Sequence, residues 1–202
     1  MMETRPENRR QYTEIALHAC EQGDELVQNL LDLYQLEAGE SAIIPEPFDL
    51  QECLRRIEDS FQVRTRDYQQ ILTIDLPQVL PPMVTDGVTL RRILVELLNN
   101  ACKYTASQGE VILKVRESGE EEEVHKLCFT LRNPSEIPAE ALPRIFEKFY
   151  RVPGGDRAKR GGTGLGLALV HKLVQQLGGS IWVESQDGWT TFFLELPCVM
   201  EG

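Results

Sequence analysis

Arg160-Gly161-Gly162-Thr163-Gly164-Leu165-Gly166-Leu167 runs directly into the apolar helical pattern of Ala168 to Leu177, and this junction decides how the chain is read. Its four glycines permit backbone dihedrals closed to other residues and let a bulky anion approach main-chain N–H groups. The helix that begins here directs the positive end of its dipole at the same point. One reading of such a loop is a phosphate cradle; the other is a plain turn before a helix.

A second constellation favours the cradle. In Leu90-Arg91-Arg92-Ile93-Leu94-Val95-Glu96-Leu97-Leu98-Asn99-Asn100-Ala101-Cys102-Lys103-Tyr104-Thr105, helical spacing puts Leu90, Ile93, Leu94, Leu97 and Ala101 on one arc. Glu96, Asn100 and Lys103 fall within about 60° of one another on the neighbouring arc. One helix edge thus presents a carboxylate, an amide and an ammonium. Glu96 and Asn100 supply the oxygens that suit Mg²⁺, and Lys103 suits a phosphate. Tyr104 extends an aromatic face beyond them. The plainer reading is an amphipathic helix with a solvated edge, but paired asparagines in mid-helix cost stability without a packing gain.

Glu96 to Thr105 resembles the N box of sensor histidine kinases, Ile145-Phe146-Glu147-Lys148-Phe149-Tyr150-Arg151 their F box, and Gly162 to Leu167 their G2 box. Order and spacing also fit, and the likeness covers roughly residues 46 to 198. The resemblance implies a catalytic, ATP-binding domain whose fold is similar to that of topoisomerase, mismatch-repair and chaperone ATPases. It implies that Gly162, Thr163, Gly164, Leu165, Gly166 and Leu167 cradle phosphates, that Asn100 and Glu96 face Mg²⁺, and that Phe149 and Ile137 border the nucleotide. It also implies that Arg151 reaches the γ-phosphate and stabilises charge during phosphoryl transfer.

The chain departs from the family's G1 box, a pattern like Asp-x-Gly-x-Gly followed by Ile-Pro. It reads Leu131-Arg132-Asn133-Pro134-Ser135-Glu136-Ile137-Pro138, without either glycine. By resemblance Asn133 takes the place of the aspartate that accepts from the adenine amino group. An amide accepts without charge assistance, which weakens adenine binding by about 1 kcal/mol. Thr191, before Phe192, matches a threonine that supports the same contact. Glu96 stands where many histidine kinases have asparagine, and a carboxylate there also suits a base that orients water.

Gross properties agree with a soluble, globular chain. At 202 residues, 42% apolar and 26% charged, it holds one or two domains. A net charge of -11 disfavours DNA, RNA and anionic membranes as partners, so local cations must draw in a nucleotide. Arg151, Arg157, Lys159 and Arg160 cluster around the glycine loop. Cysteines at 20, 53, 102, 128 and 198 show neither zinc nor disulfide spacing, which points to a reducing cytoplasm. No apolar run approaches the roughly 18 residues that cross a bilayer. The chain is expected to be cytoplasmic and to make no direct membrane contact, although its parent protein could be membrane-attached.

Residues 7 to 37 read as one helix with Ile15, Leu26, Leu30, Leu33 and Leu36 on a stripe. Nothing nearby in sequence covers that stripe, so it calls for another helix or chain. Leu30 to Gly39 resembles the end of the second helix of a histidine-kinase dimerisation hairpin. The expected division is therefore 1–45, a partial dimerisation helix, and 46–202, the catalytic domain. The resemblance implies homodimerisation through the N-terminal helix and a response regulator receiver domain as partner. His18, His125 and His171 lack the acidic, arginine and proline neighbours of a phosphoacceptor, so the acceptor histidine is expected outside this chain and all three read as structural.

From Pro45-Glu46-Pro47, a linker, the pattern gives a helix at Leu50 to Asp67, a strand at Ile71 to Leu76, a loop at Pro77 to Pro82 and a helix from Thr89. Strands follow at Glu110 to Glu117, Val124 to Arg132, Ser180 to Glu184 and Trp189 to Leu196, with a helix at Gly164 to Leu177. Between Ile137 and Thr163 no regular pattern continues, and by resemblance this is a lid over ATP. The fold class is α/β: a two-layer sandwich of about three helices on a mostly antiparallel sheet, preceded by one long helix. The leading function is transfer of the γ-phosphoryl of Mg·ATP to a histidine. The alternatives are an ATPase or serine kinase of the same fold, and a degenerate interaction module.

Overall fold

The computed structural model describes residues 6–118, 126–153 and 162–199. Arg157, Lys159, Arg160 and His125 lie outside them, as do residues 119–124 and the side chains of Ile15 and His18. The chain runs α1 (Pro6–Ala38), β1 (Glu46–Phe48), α2 (Leu50–Asp67), β2 (Ile71–Asp75), β3 (Met83–Thr85), α3 (Gly87–Tyr104), β4 (Glu110–Ser118) and β5 (Lys126–Asn133). Among the described residues, a 3₁₀ turn at Leu142–Arg144 is followed by α4 (Gly166–Gln176), β6 (Ser180–Gln186) and β7 (Trp189–Pro197).

Two aspartates start the helices of the domain. Asp49 accepts from the Glu52 N–H and Asp86 from the Thr89 N–H, each at 2.9 Å, satisfying donors that a helix N-terminus leaves unpaired. Asp86 also accepts from the Ile44 N–H at 3.1 Å, so one carboxylate caps α3 and anchors the segment after α1. These backbone bonds hold its carboxyl below its ordinary pKa against the opposing effect of partial burial. At the other end of α3, Gln70 donates to the carbonyls of Cys102 and Thr105 at 2.8 Å.

The main sheet has the order β2-β4-β5-β7-β6 and is antiparallel except for the β2–β4 pair. Parallel pairing needs a long crossover, and α3 provides it. Alternation sends Leu127, Phe129, Leu131 and Asn133 of β5, and Thr190, Phe192, Leu194 and Leu196 of β7, to the same buried face. Against that face pack Leu54 and Ile57 of α2, Leu90, Ile93, Leu94, Leu97 and Leu98 of α3, and Leu169, Val170 and Leu173 of α4.

Two expectations change. The Pro45-Glu46-Pro47 linker contains β1, and the proline loop is followed by β3; the two pair as a small antiparallel sheet. Proline is admissible there because a two-stranded ribbon has free edges for the missing N–H. The helix expected from Gly164 begins two residues later, since Gly164 takes φ +72°.

The stripe of α1 is partly covered by its own chain. Leu33 is fully buried and Leu36 packs on the core beside it, with α1 lying against α4. Arg92 of α3 pairs with Asp32, Lys148 with Glu37 at 2.6 Å, and Gln176 donates to the Ser41 carbonyl at 2.8 Å. Leu17, Val27, Leu30, Leu31 and Tyr34 stay exposed. Asp32 is only 14% exposed, so loss of its carboxylate leaves Arg92 without that partner at a half-buried site. Asp32→Ala is expected to cost about 1–2 kcal/mol and to accelerate amide exchange over residues 29–38 while the sheet keeps its protection. Unchanged exchange in that segment would show that the ion pair does not hold α1.

Candidate functional site

The apolar arc of α3 fixes its rotation, and the adjoining polar edge then looks into a cavity of about 790 Å³. Glu96, Asn100, Lys103 and Tyr104 line it from α3, Asn133 and Ile137 from the end of β5, and Gly162, Thr163, Gly164, Gly166 and Leu167 from the glycine loop and α4. Arg151 and Tyr150 close the lid side. The volume lies within the range of small-molecule sites.

The glycine loop stands in close contact with the α3 edge. A Cβ on Gly166 would lie 3.1 Å from Glu96 Oε2, and one on Gly162 would collide with the Lys103 ammonium. The loop backbone therefore rests directly on the α3 edge. Gly164, at φ +72°, has no room either, since a Cβ would stand 2.8 Å from the carbonyl carbon of Phe149. Its carbonyl accepts from the Phe149 N–H at 2.9 Å, which ties the lid to the loop. The Leu165 N–H is taken by Thr163 Oγ1 at 3.2 Å, and α4 has no side-chain cap, so its N-terminal dipole end opens on the cavity.

Asn133 is 2% exposed, and its amide nitrogen donates to Ser135 Oγ at 3.0 Å and Thr105 Oγ1 at 3.3 Å. That fixes the amide plane and turns Oδ1 away from these partners. The turn after it, which lacks the family's glycines, is stapled from β6 and β7. Thr190 donates to the Ser135 carbonyl at 2.9 Å, Ser185 and Thr190 share a hydroxyl contact at 3.1 Å, and the Ile137 N–H donates to Ser185 Oγ at 2.8 Å.

Three expected residues sit elsewhere. Thr191 is on the outward face of β7, in a separate hollow of about 380 Å³ with Lys114, Arg132 and Trp189; Thr190 and Phe192 are the cavity-lining neighbours. The two-residue period of a strand is the reason: Asn133 pairs in register with Thr190, so Thr190 shares its face. Phe149 turns its ring to solvent at φ +63°, contributing backbone to the loop rather than an aromatic wall. Leu165 is fully buried and anchors the loop from below. Thr190, Ser185 and Ser135 were missed because their roles depend on strand register, whereas Arg64, Tyr68 and Asn99 reach the cavity through helix packing.

The lid is anchored by Phe146, which lies 5.4 Å from the His171 ring and edge-on to Phe192 at 6.5 Å. Burial, and less so the Lys172 charge, holds the His171 pKa below its ordinary 6.5. Burial likewise pushes the Cys102 thiol up, partly offset by Arg64, so it stays protonated in the cavity wall.

Residues 85–200 match the family described as histidine kinase-, DNA gyrase B- and HSP90-like ATPases. The chain is 34% identical to the circadian input-output histidine kinase CikA of Synechococcus elongatus over 195 residues, 95% of this chain and 25% of CikA. It is similar in structure to full-length ShkA in complex with AMPPNP, with a TM-score of 0.78, 26% identity, and coverage of 100% of this chain and 41% of that one. ThkA in complex with the response regulator TrrA gives a TM-score of 0.76 at 20% identity, covering 97% of this chain and 53% of that one. The chain belongs to the histidine kinase-, DNA gyrase B- and HSP90-like ATPase family and carries its catalytic, ATP-binding domain, and the relatives it is similar to include histidine kinases. It spans a quarter of the length of CikA.

Two outcomes follow. Gly164→Ala combines positive-φ strain with a backbone clash and is expected to raise the dissociation constant for an ATP analogue at least about tenfold. Gly188→Ala is the control, since it has φ +78° but nothing within 4 Å of its Cβ and should leave that constant unchanged in calorimetry. For His171 the folded pKa is depressed, so its contribution is present above about 6.5 and lost as pH falls, because the unfolded chain takes up the proton first. Melting temperatures should drop on acidification from pH 7 to 5, less steeply in His171→Leu.

Proposed function

We propose that the domain of residues 46–202 transfers the γ-phosphoryl of Mg·ATP to a histidine not present in this chain, with residues 1–45 acting as part of a dimerisation hairpin. The observation that carries this is the direct apposition of the α3 polar edge and the glycine loop across one cavity, with Glu96 Oε2 at 3.1 Å from the position a Gly166 Cβ would take. A triphosphate there meets the α4 N-terminus, main-chain N–H groups, Lys103 and Arg151, while Asn133 Oδ1 accepts from the adenine amino group within the frame set by Thr190 and Ser185.

Mg²⁺ fits the donor set. Glu96 and Asn100, one helical turn apart, offer one carboxylate and one amide oxygen, and Mg²⁺ completes its octahedron with phosphates and water. Among the described residues no three His, Cys, Asp or Glu side chains cluster as a cage, in keeping with a metal that arrives with its nucleotide. Bound there, it would neutralise charge on the phosphates. The chain's residues act by position and electrostatics: Lys103 and Arg151 hold the outer phosphates, the loop keeps water out, and the receiving histidine takes up the phosphoryl group.

The exposed remainder of the α1 stripe supports pairing with a second copy of the chain. A receiver domain as partner is supported by the similar ThkA structure bound to its response regulator. Among the described residues no helix is long and apolar enough to cross a membrane.

Incubation with γ-labelled ATP, Mg²⁺ and a supplied acceptor-histidine hairpin is expected to give an acid-labile, alkali-stable phosphohistidine. Asn100→Ala and chelation of the metal should each reduce labelling at least about a hundredfold. Release of inorganic phosphate without labelled histidine would instead mark an ATPase that uses Glu96 as a base, and no nucleotide binding at millimolar concentration would mark an interaction module.

A further inference from the structure

A cation on α2 reaches the cavity although neither the motifs nor the roles above account for it. Arg64 stands in the last turn of α2 and lines the cavity beside Tyr68, Asn99 and Tyr104. Its Nη1 donates to Asn99 Oδ1 at 2.7 Å, which holds the guanidinium against the helix that carries Asn100. Its Nε is buried and has no hydrogen-bond partner among the described residues. A buried, charged N–H without an acceptor is more costly than one hydrogen bond is favourable, and folded proteins rarely leave such a group unsatisfied unless a ligand or water completes it.

We propose that Arg64 is a nucleotide-binding residue whose Nε edge donates to a phosphate oxygen of the bound nucleotide, a role that rests on the ATP-binding reading of the cavity. The guanidinium is planar, and a bond through Nη1 to Asn99 leaves the edge that contains Nε without a partner among the described residues. That edge matches a pair of phosphate oxygens better than it matches a single hydroxyl or a ring nitrogen, and the positive charge favours an anion. The placement agrees. Arg64 enters the cavity wall from α2, whereas Lys103 enters it from α3 and Asn133 from the end of β5. Arg64 thereby adds a cation from α2 to the donors that Lys103 and the glycine loop bring to the same cavity. The same contact makes Asn99 useful: its oxygen orients the guanidinium, and a mid-helix asparagine pair acquires a purpose at both positions.

Dissociation constants for ADP and for adenosine, measured on the whole chain by displacement of a fluorescent ATP analogue, test this. Arg64→Met is expected to weaken ADP about tenfold and leave adenosine within about twofold, because only ADP carries the phosphate oxygens. Arg64→Lys, which restores the charge without the planar fork, should recover part of the loss. An equal effect on ADP and adenosine, or none on either, in a variant whose melting curve shows it folded, overturns the proposal in favour of a packing role. If Arg64→Met does not fold, the Lys variant decides alone: ADP weakened relative to adenosine supports the phosphate contact, and equal weakening refutes it. Wild-type protein that binds neither compound would fail the nucleotide reading itself, an outcome distinct from loss confined to Arg64 variants.

Discussion

The polar edge of α3 pressed against the glycine loop is the contact on which the rest of the structure depends. The apolar arc, from Leu90 through Ala101, is sunk in the core, so the helix cannot rotate without exposing it. The direction of Glu96, Asn100 and Lys103 is thus set by side chains that never touch the ligand. On the opposite wall, α4 is set by Leu169, Val170 and Leu173, and the backbone at Gly162 and Gly166 stands against Lys103 and Glu96. Core packing on two helices produces a preorganised charged cleft between them.

At the base end the same result is reached by other means. Where relatives use a glycine-containing turn after an aspartate, this chain has Asn133-Pro134-Ser135, and two hydroxyls from the β6–β7 hairpin take over the work of fixing the turn. A neutral amide framed by a hydroxyl network is weaker than a carboxylate as an acceptor but better defined in orientation.

The long helix is physically connected to the lid. Lys148, which pairs with Glu37 of α1, is followed by Phe149, whose N–H bonds to the Gly164 carbonyl. A displacement of α1 relative to the domain would therefore act within one residue of the loop that covers the cavity. The exposed ion pairs contribute little energy individually, and Leu33 and the half-buried Asp32–Arg92 pair carry more of the attachment.

Much was determined by sequence alone: the long helices, the five main strands, and the two motifs that meet at the cavity. Helical period, caps and glycines are local signals, and they single out Asn100, Lys103 and Gly164, which line the cavity each from its own element. The small β1–β3 sheet was not legible, since three-residue strands containing proline pair only because distant segments are brought together. Thr190 in place of Thr191 was decided by strand register, and the outward turn of Phe149 by a positive φ that the fold imposes. Arg64 was invisible for a related reason: a lone arginine on an amphipathic helix reads as solvated until packing buries its Nε beside Asn99. Short-range chemistry chose the elements; long-range burial chose which of their atoms face one another.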